Sequence, residues 1–181
     1  MPVRTRASLQ ELSAIAGKAE LVDGEVVEMA PTGDAPGTAA DEIYFSLRKY
    51  VETTGAGHAV SDNKAFRVNL PHRQTVSPDA AYYTGPRSGM KFYPVAPVFA
   101  AEVRSENDYG LPAEQELARK RADYIAAGTL VVWDVDLLNE PAVRKYTAAD
   151  PEHPAEFRRG QTADAEPAVP GWRMAVDDLF R

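Results

Sequence analysis

The chain has 181 residues, 44 % hydrophobic and 26 % charged, a balance that excludes a disordered polymer and allows one domain with a sizeable core. It has no cysteine, which excludes a disulfide framework, a thiolate nucleophile and a zinc–thiolate centre, and its three histidines (His58, His72, His153) are too scattered for a histidine-rich metal site. The net charge of −7 weighs against a polyanionic partner, although nine basic side chains outnumber six acidic ones between Lys64 and Arg121.

Met1 to Arg6 is basic but has no apolar stretch behind it, so no signal peptide is expected. No run reaches the roughly 20 apolar residues of a membrane span, and a cytoplasmic protein is expected. Residues 8–17 predict a short helix, with Ser8 as N-cap, Glu11 three residues on and Gly17 as the stop. Ala19 to Val22 and Glu25 to Met29 are joined by Asp23-Gly24, a strong hairpin signal. Pro31 to Gly37 has loop chemistry. From about Thr38 to Thr53, Ile43, Leu47, Tyr50 and Val51 make one helical face, which Gly55 and Gly57 end.

Ala65 to Leu70 alternates as a half-buried strand closed by Pro71, and Val76 to Tyr83 predicts another, with Pro78-Asp79 inside it. Residues 84–94 read as an exposed connection. Pro97 to Val103 is a near-continuous apolar run, as in a strand buried on both faces, yet carries Glu102 near its end. Pro112 opens a helix that runs to Ala127 and stops at Gly128. Leu130 to Asp136 is a second buried strand and Ala142 to Tyr146 a weaker one. Residues 148–167 read as a surface excursion, after which Pro170 to Met174 and Val176 to Phe180 pack back onto the body. This order predicts a mixed α/β architecture around one sheet, without a regular βαβ series.

Glu102 lies in an apolar strand, which is costly without a partner or a cation. If the Asp79 strand neighbours it, both carboxylates converge on one hard cation, with the Val103 carbonyl as a third oxygen. Strand alternation puts Glu102 and Arg104 on one face. On the 112–127 helix the inward positions are Leu117, Arg121, Tyr124 and Ile125, and Lys120 lies beside them, placed to send its ammonium to the sheet edge. Each residue also has a plain structural reading: Asp79 a turn cap, Glu102 a partner of Arg104 or Arg119, Lys120 a solvated helix residue. Tyr82, Tyr83, Phe92 and Tyr93 are either core residues or a homodimer contact.

Ala19 to Pro31, Val76-Ser77-Pro78-Asp79-Ala80, Ala101 to Asp108, Arg119 to Gly128 with Val131 to Asp136, and Pro170-Gly171-Trp172 with Leu179-Phe180 follow one another in an order that resembles the Uma2-like restriction endonucleases. The resemblance spans about residues 19–181. It implies a restriction-endonuclease-like (PD-(D/E)XK) α/β fold, a central mixed β-sheet flanked by helices, within a single domain over 1–181. It also implies a Mg-dependent (or Mn-dependent) endonuclease acting on nucleic acid, DNA in the first instance, with Asp79 and Glu102 as metal ligands and Lys120 as the catalytic lysine. In the wider superfamily that lysine sits two residues after the second acid, where this chain has Arg104. Arg104 stays protonated and cannot be a base, but is open to hold a phosphate. Tyr124 packs or orients the site, and Glu20 or Glu42 is a further acid beside the metal. The family often has a histidine at the start of its first long helix, where this chain has Pro36-Gly37-Thr38. A nuclease-fold binding or regulatory module that no longer cuts is the alternative, and an acidic oligomeric scaffold a third reading.

Overall fold

Local signals fix the first elements. Ser8 Oγ accepts the Glu11 amide at 3.2 Å and the Glu11 carboxylate accepts the Ser8 amide at 2.7 Å, the reciprocal cap that starts helix α1 (Leu9–Ser13). Asp23 and Gly24 take φ of 51° and 81°, the left-handed pair that a two-residue turn between β1 (Ala19–Val22) and β2 (Glu25–Glu28) demands. Helix α2 (Asp34–Thr54) ends on Gly55 at φ 68°, whose amide donates to the Val51 carbonyl. It starts four residues before the expected Thr38, because Pro36 falls in the first turn, where no amide donor is needed. The computed structural model describes residues 7–181; the stretch 1–6, and with it the reading on a signal peptide, lies outside the described residues.

Strands β3 (His58–Ser61), β4 (Phe66–Arg67), β5 (Thr75–Val76), β6 (Ala80–Tyr83) and β7 (Phe99–Val103) precede helix α3 (Leu111–Ala126). After it come β8 (Val131–Val135), β9 (Val143–Thr147), β10 (Asp150–Phe157), β11 (Thr162–Asp164), β12 (Arg173–Ala175) and a 3-10 turn over Val176–Phe180. Six strands form one sheet in the order β10-β9-β8-β7-β6-β3, antiparallel except for the β7–β8 pair that α3 connects. β1 with β2, β4 with β5, and β11 with β12 form small antiparallel sheets beside it.

Several expectations are corrected. The strand expected over 65–70 shrinks to Phe66–Arg67, since Asn69 turns the chain at φ 52°. The strand expected over 76–83 is two, parted by Ser77-Pro78-Asp79, so its halves join different sheets. His58–Ser61, unmarked in the sequence, is an edge strand of the main sheet. The excursion expected over 148–167 is exposed through the paired edge strand β10, but its end is not: β11 lies within it, and Ala163 and Ala165 are buried in the core. Tyr82 and Tyr83 are core residues, Tyr93 stacks on Phe66 at 4.5 Å, and Phe92 packs, partly buried, against the cluster of Leu12, Ala19 and Leu21.

Side-chain alternation sorts the sheet into two faces. Phe99, Ala101 and Val103 of β7, with Val131, Trp133 and Val135 of β8, meet Ala39, Ala40, Ile43 and Leu47 of α2 and Trp172 of the C-terminal segment. Ala100 and Val132 point the other way, into a cluster with Tyr124 of α3, Phe66 and Val76. On that second face the register sets Glu102 opposite Asp134, and Asp134 opposite Arg144, a charged row across an otherwise apolar sheet. Among the described residues, no helix is long and apolar enough to cross a membrane.

Candidate active site

Asp79 enters β6 behind Pro78, and Glu102 is the next-to-last residue of β7. The two strands are antiparallel neighbours with Ala80 opposite Ala101, which makes Asp79 and Glu102 the next step of the same ladder. The Asp79 amide donates to the Ala101 carbonyl at 3.1 Å, and Asp79 Oδ2 accepts the Val103 amide at 2.7 Å. From α3, Lys120 and Tyr124, one turn apart, reach down to one carboxylate. Lys120 Nζ lies 2.9 Å from Glu102 Oε2, and the Tyr124 hydroxyl donates to Oε1 at 2.5 Å. The hairpin supplies the third wall: Lys18, just before β1, and Glu20 within it are two apart and so on one side, and both point inward. Lys18 Nζ lies 2.5 Å from Asp79 Oδ1 and 2.7 Å from Asp62. Glu20 Oε1 accepts the Ser77 amide at 2.8 Å and lies 3.1 Å from Lys120 Nζ.

Behind Glu20 stands Arg73, 2 % exposed, which donates to Glu20 at 2.5 Å, to Asp123 at 2.6 Å and to Glu116 at 3.1 Å. Lys120 is therefore gripped by two carboxylates, one of which is itself anchored by a buried guanidinium.

Burial pushes the Glu102 carboxyl up to about 7, and the neighbouring Asp79 and Glu20 charges add to the rise while Lys120 opposes it. Burial by itself would lower the Lys120 ammonium, but Glu102 and Glu20 outweigh it and hold its pKa above the ordinary lysine value. The same balance, set by Asp79 and Glu102, raises Lys18. Tyr124 is pushed up by burial and then by Glu102 and Glu20, so its phenol stays protonated and donates. Both lysines are fixed charges at neutral pH, not bases.

The structure thus brings Asp79, Glu102, Lys120, Tyr124, Glu20 and the Val103 amide together. It does not bring Glu42, which lies on α2 with Arg181 as its ion-pair partner, on the helix that packs against the other sheet face. Arg104 shares the Glu102 face, but its guanidinium is committed to Asp134 at 2.7 and 2.8 Å and to Glu114, so it braces β8 and α3 instead of presenting a free fork to a phosphate. Neither plain pairing holds for Glu102, whose cation is Lys120, while Arg119 pairs at the surface with Asp23.

Sequence reasoning missed Lys18, Asp62, Arg73 and Asp123. Lys18 was within reach, because strand alternation from Glu20 puts it on the same side. Arg73 and Asp123 had no local signal, since their pairing spans 50 residues.

Among the described residues, no group of three or more His, Asp or Glu side chains is arranged to hold a metal ion. Two hard carboxylates do gather, and each already carries a cation: Lys18 on Asp79 Oδ1 and Lys120 on Glu102 Oε2. That donor set fits Mg²⁺ or Mn²⁺, which take one or two carboxylates and complete their shell with water and phosphate oxygens.

Residues 9–177 match the Uma2 family, whose description reads "Putative restriction endonuclease". The chain belongs to the Uma2 family. This Uma2 chain is also similar to a crystal structure from Anabaena variabilis described as a putative nuclease belonging to DUF820, at 15 % identity and a TM-score of 0.72, over 96 % of this chain and 97 % of that one. No curated protein matches it. At that identity the likeness shows the fold, and it agrees with the restriction-endonuclease-like α/β architecture expected from the sequence.

Proposed function

We propose that this Uma2 protein is a divalent-cation-dependent nuclease in which Asp79 and Glu102 hold the cation, the Val103 carbonyl adds a third oxygen, and Lys120 stabilises charge on the scissile phosphate. The observation that carries this reading is the pair of carboxylates at adjacent positions of neighbouring strands, each with an ammonium on one oxygen. Mg²⁺, or Mn²⁺ in its place, supplies Lewis-acid stabilisation at a phosphoryl group and a more acidic water. Lys120, held charged by Glu102 and Glu20, donates to developing negative charge on phosphoryl oxygen and does not remove a proton. Tyr124 fixes the orientation of Glu102, and Arg73 fixes Glu20 behind Lys120. The substrate is a nucleic acid, with DNA assigned first, and the setting is the cytoplasm.

The test is cleavage of plasmid and single-stranded DNA in Mg²⁺ or Mn²⁺ by the native chain, Asp79→Asn, Glu102→Gln and Lys120→Ala. Loss of cutting in all three variants supports the roles; native rates in any of them remove that residue from the mechanism. A second reading, a nuclease-fold module that binds without cutting, draws on the net charge of −7 and on the protein donors that already occupy every oxygen of Asp79 and Glu102. Calorimetry separates the two, since that module takes up no Mg²⁺ through Glu102.

A further inference from the structure

We infer that Lys18 is a built-in counter-cation of the site: it holds Asp79 Oδ1 until a divalent cation takes that oxygen, and its ammonium then passes to Asp62. The inference rests on the reading of Asp79 as a cation ligand. Asp79 has one oxygen committed to the Val103 amide, so Oδ1 is the atom that faces a cation, and Lys18 Nζ sits on it at 2.5 Å. Without that ammonium, the part-buried carboxylates of Asp79 and Glu102 would repel each other across adjacent strands.

A second carboxylate is already within reach. Asp62, the residue after β3, lies 2.7 Å from the same Nζ. Its side chain is 36 % exposed against 11 % for Asp79, so transfer moves the charge outward, towards water. Lys18 is suited to such a shift because a lysine is a point charge on a four-carbon stem. It also stands at the entry to β1, in the two-stranded hairpin outside the main sheet. Lys120 is not equivalent, since Glu20 and Glu102 grip it from two sides and Arg73 anchors Glu20.

Lys18 therefore competes with the metal for one oxygen, and the apparent metal affinity is reduced by the work of displacing it. The second carboxylate lowers that work.

The test is calorimetric titration of the full chain with MnCl₂ and MgCl₂, without nucleic acid, in the native protein, Lys18→Met, Lys18→Arg, Asp62→Asn and Asp79→Asn. Removing the competing unit charge in Lys18→Met tightens binding about tenfold or more. Lys18→Arg, which keeps the charge, stays close to native. Asp62→Asn weakens binding, because the displaced ammonium has no carboxylate to receive it, and Asp79→Asn abolishes it. Equal or weaker binding by Lys18→Met overturns the inference while leaving Asp79 as a ligand. Native affinity in Asp62→Asn overturns the transfer. If Lys18→Met does not fold by circular dichroism, the Lys18→Arg and Asp62→Asn titrations decide. Absence of Mn²⁺ uptake by the native chain and by every variant overturns both this inference and the cation-dependent nuclease.

Discussion

Arg73→Met tests whether the wall behind the site holds as the geometry implies. Methionine keeps the bulk of the stem, so the loss is charge and hydrogen bonding more than volume. Arg73 bonds two buried carboxylates, Glu20 at 2.5 Å and Asp123 at 2.6 Å, whose side chains are 2 % and 6 % exposed. Each charge-assisted bond of this kind contributes about 1.5–3 kcal/mol. The third partner, Glu116, is 58 % exposed and adds about 0–1 kcal/mol. Both buried carboxylates keep other donors, Ser77 and Lys120 for Glu20 and His72 for Asp123, which puts the sum towards the lower end. The expected loss is about 3–5 kcal/mol, the range for stripping one partner from a buried ionic group. Urea unfolding at neutral pH, followed by the fluorescence of the buried Trp133 and Trp172, measures it. Adding Asp123→Asn to Arg73→Met should restore about 1 kcal/mol or more relative to additivity, because one stranded charge is removed. A loss below about 1 kcal/mol in the single variant would refute the account of Arg73 as the anchor of Glu20 and Asp123.

Tyr124→Phe takes the hydroxyl donor from Glu102 Oε1 and should cost about 1–3 kcal/mol in the same unfolding assay, with an unchanged midpoint as the contrary result. In alkaline solution, Tyr109 should ionise only near 12, raised first by burial and then by its bond to Asp136. Its folded pKa lies above the unfolded value of 10.0, so its contribution is complete below pH 10 and declines as pH rises towards about 12. Tyr82, Tyr83, Tyr124 and Tyr146 shift the same way, so spectrophotometric titration should show these five phenols ionising late, and their ionisation at the ordinary tyrosine value contradicts the packing.

What was legible in the sequence was whatever is decided by a few neighbouring residues. The Ser8 cap, the Asp23-Gly24 turn, the buried runs of β7 and β8 and the stop of α2 at Gly55 are local facts and stand where periodicity and turn chemistry put them. The meeting of Asp79, Glu102 and Lys120 was legible one level up, because strand alternation and helix spacing fix which side each presents. β3 was not, since His58-Ala59-Val60-Ser61 is short and half-polar and is stabilised as a strand by pairing with β6. The start of α2 is hidden in the sequence because Pro36 and Gly37 resemble a loop unless the first-turn exemption for proline applies. Lys18 with Asp62 and Arg73 with Asp123 depend on how the hairpin and α3 sit on the sheet, a tertiary choice that no window of sequence contains.

The two long helices are held by different forces, and this has a measurable consequence for the site. α2 buries Ala39, Ala40, Ile43 and Leu47, with Tyr50 and Val51 packed beside them. Full burial of Ile43 and Leu47 contributes about 1.5–3 kcal/mol each. In α3 the buried residues are Asp123 and Tyr124, with Ile125 partly buried against the same apolar cluster, and much of the remaining grip is ionic: Asp123 on Arg73, Glu114 on Arg104, Lys120 on Glu20 and Glu102, Arg121 on Asp134. Such pairs lose much of their attraction to desolvation, so α3 should open at a lower free energy than α2. Native-state hydrogen exchange should place the α3 amides about 2 kcal/mol or more below those of α2, the difference made by one fully buried aliphatic side chain. Because Lys120 and Tyr124 both ride on α3, each opening would also free Glu102 of its ammonium and its hydroxyl donor together. Equal protection of the two helices would mean that the charged row on the sheet binds α3 as strongly as apolar burial binds α2.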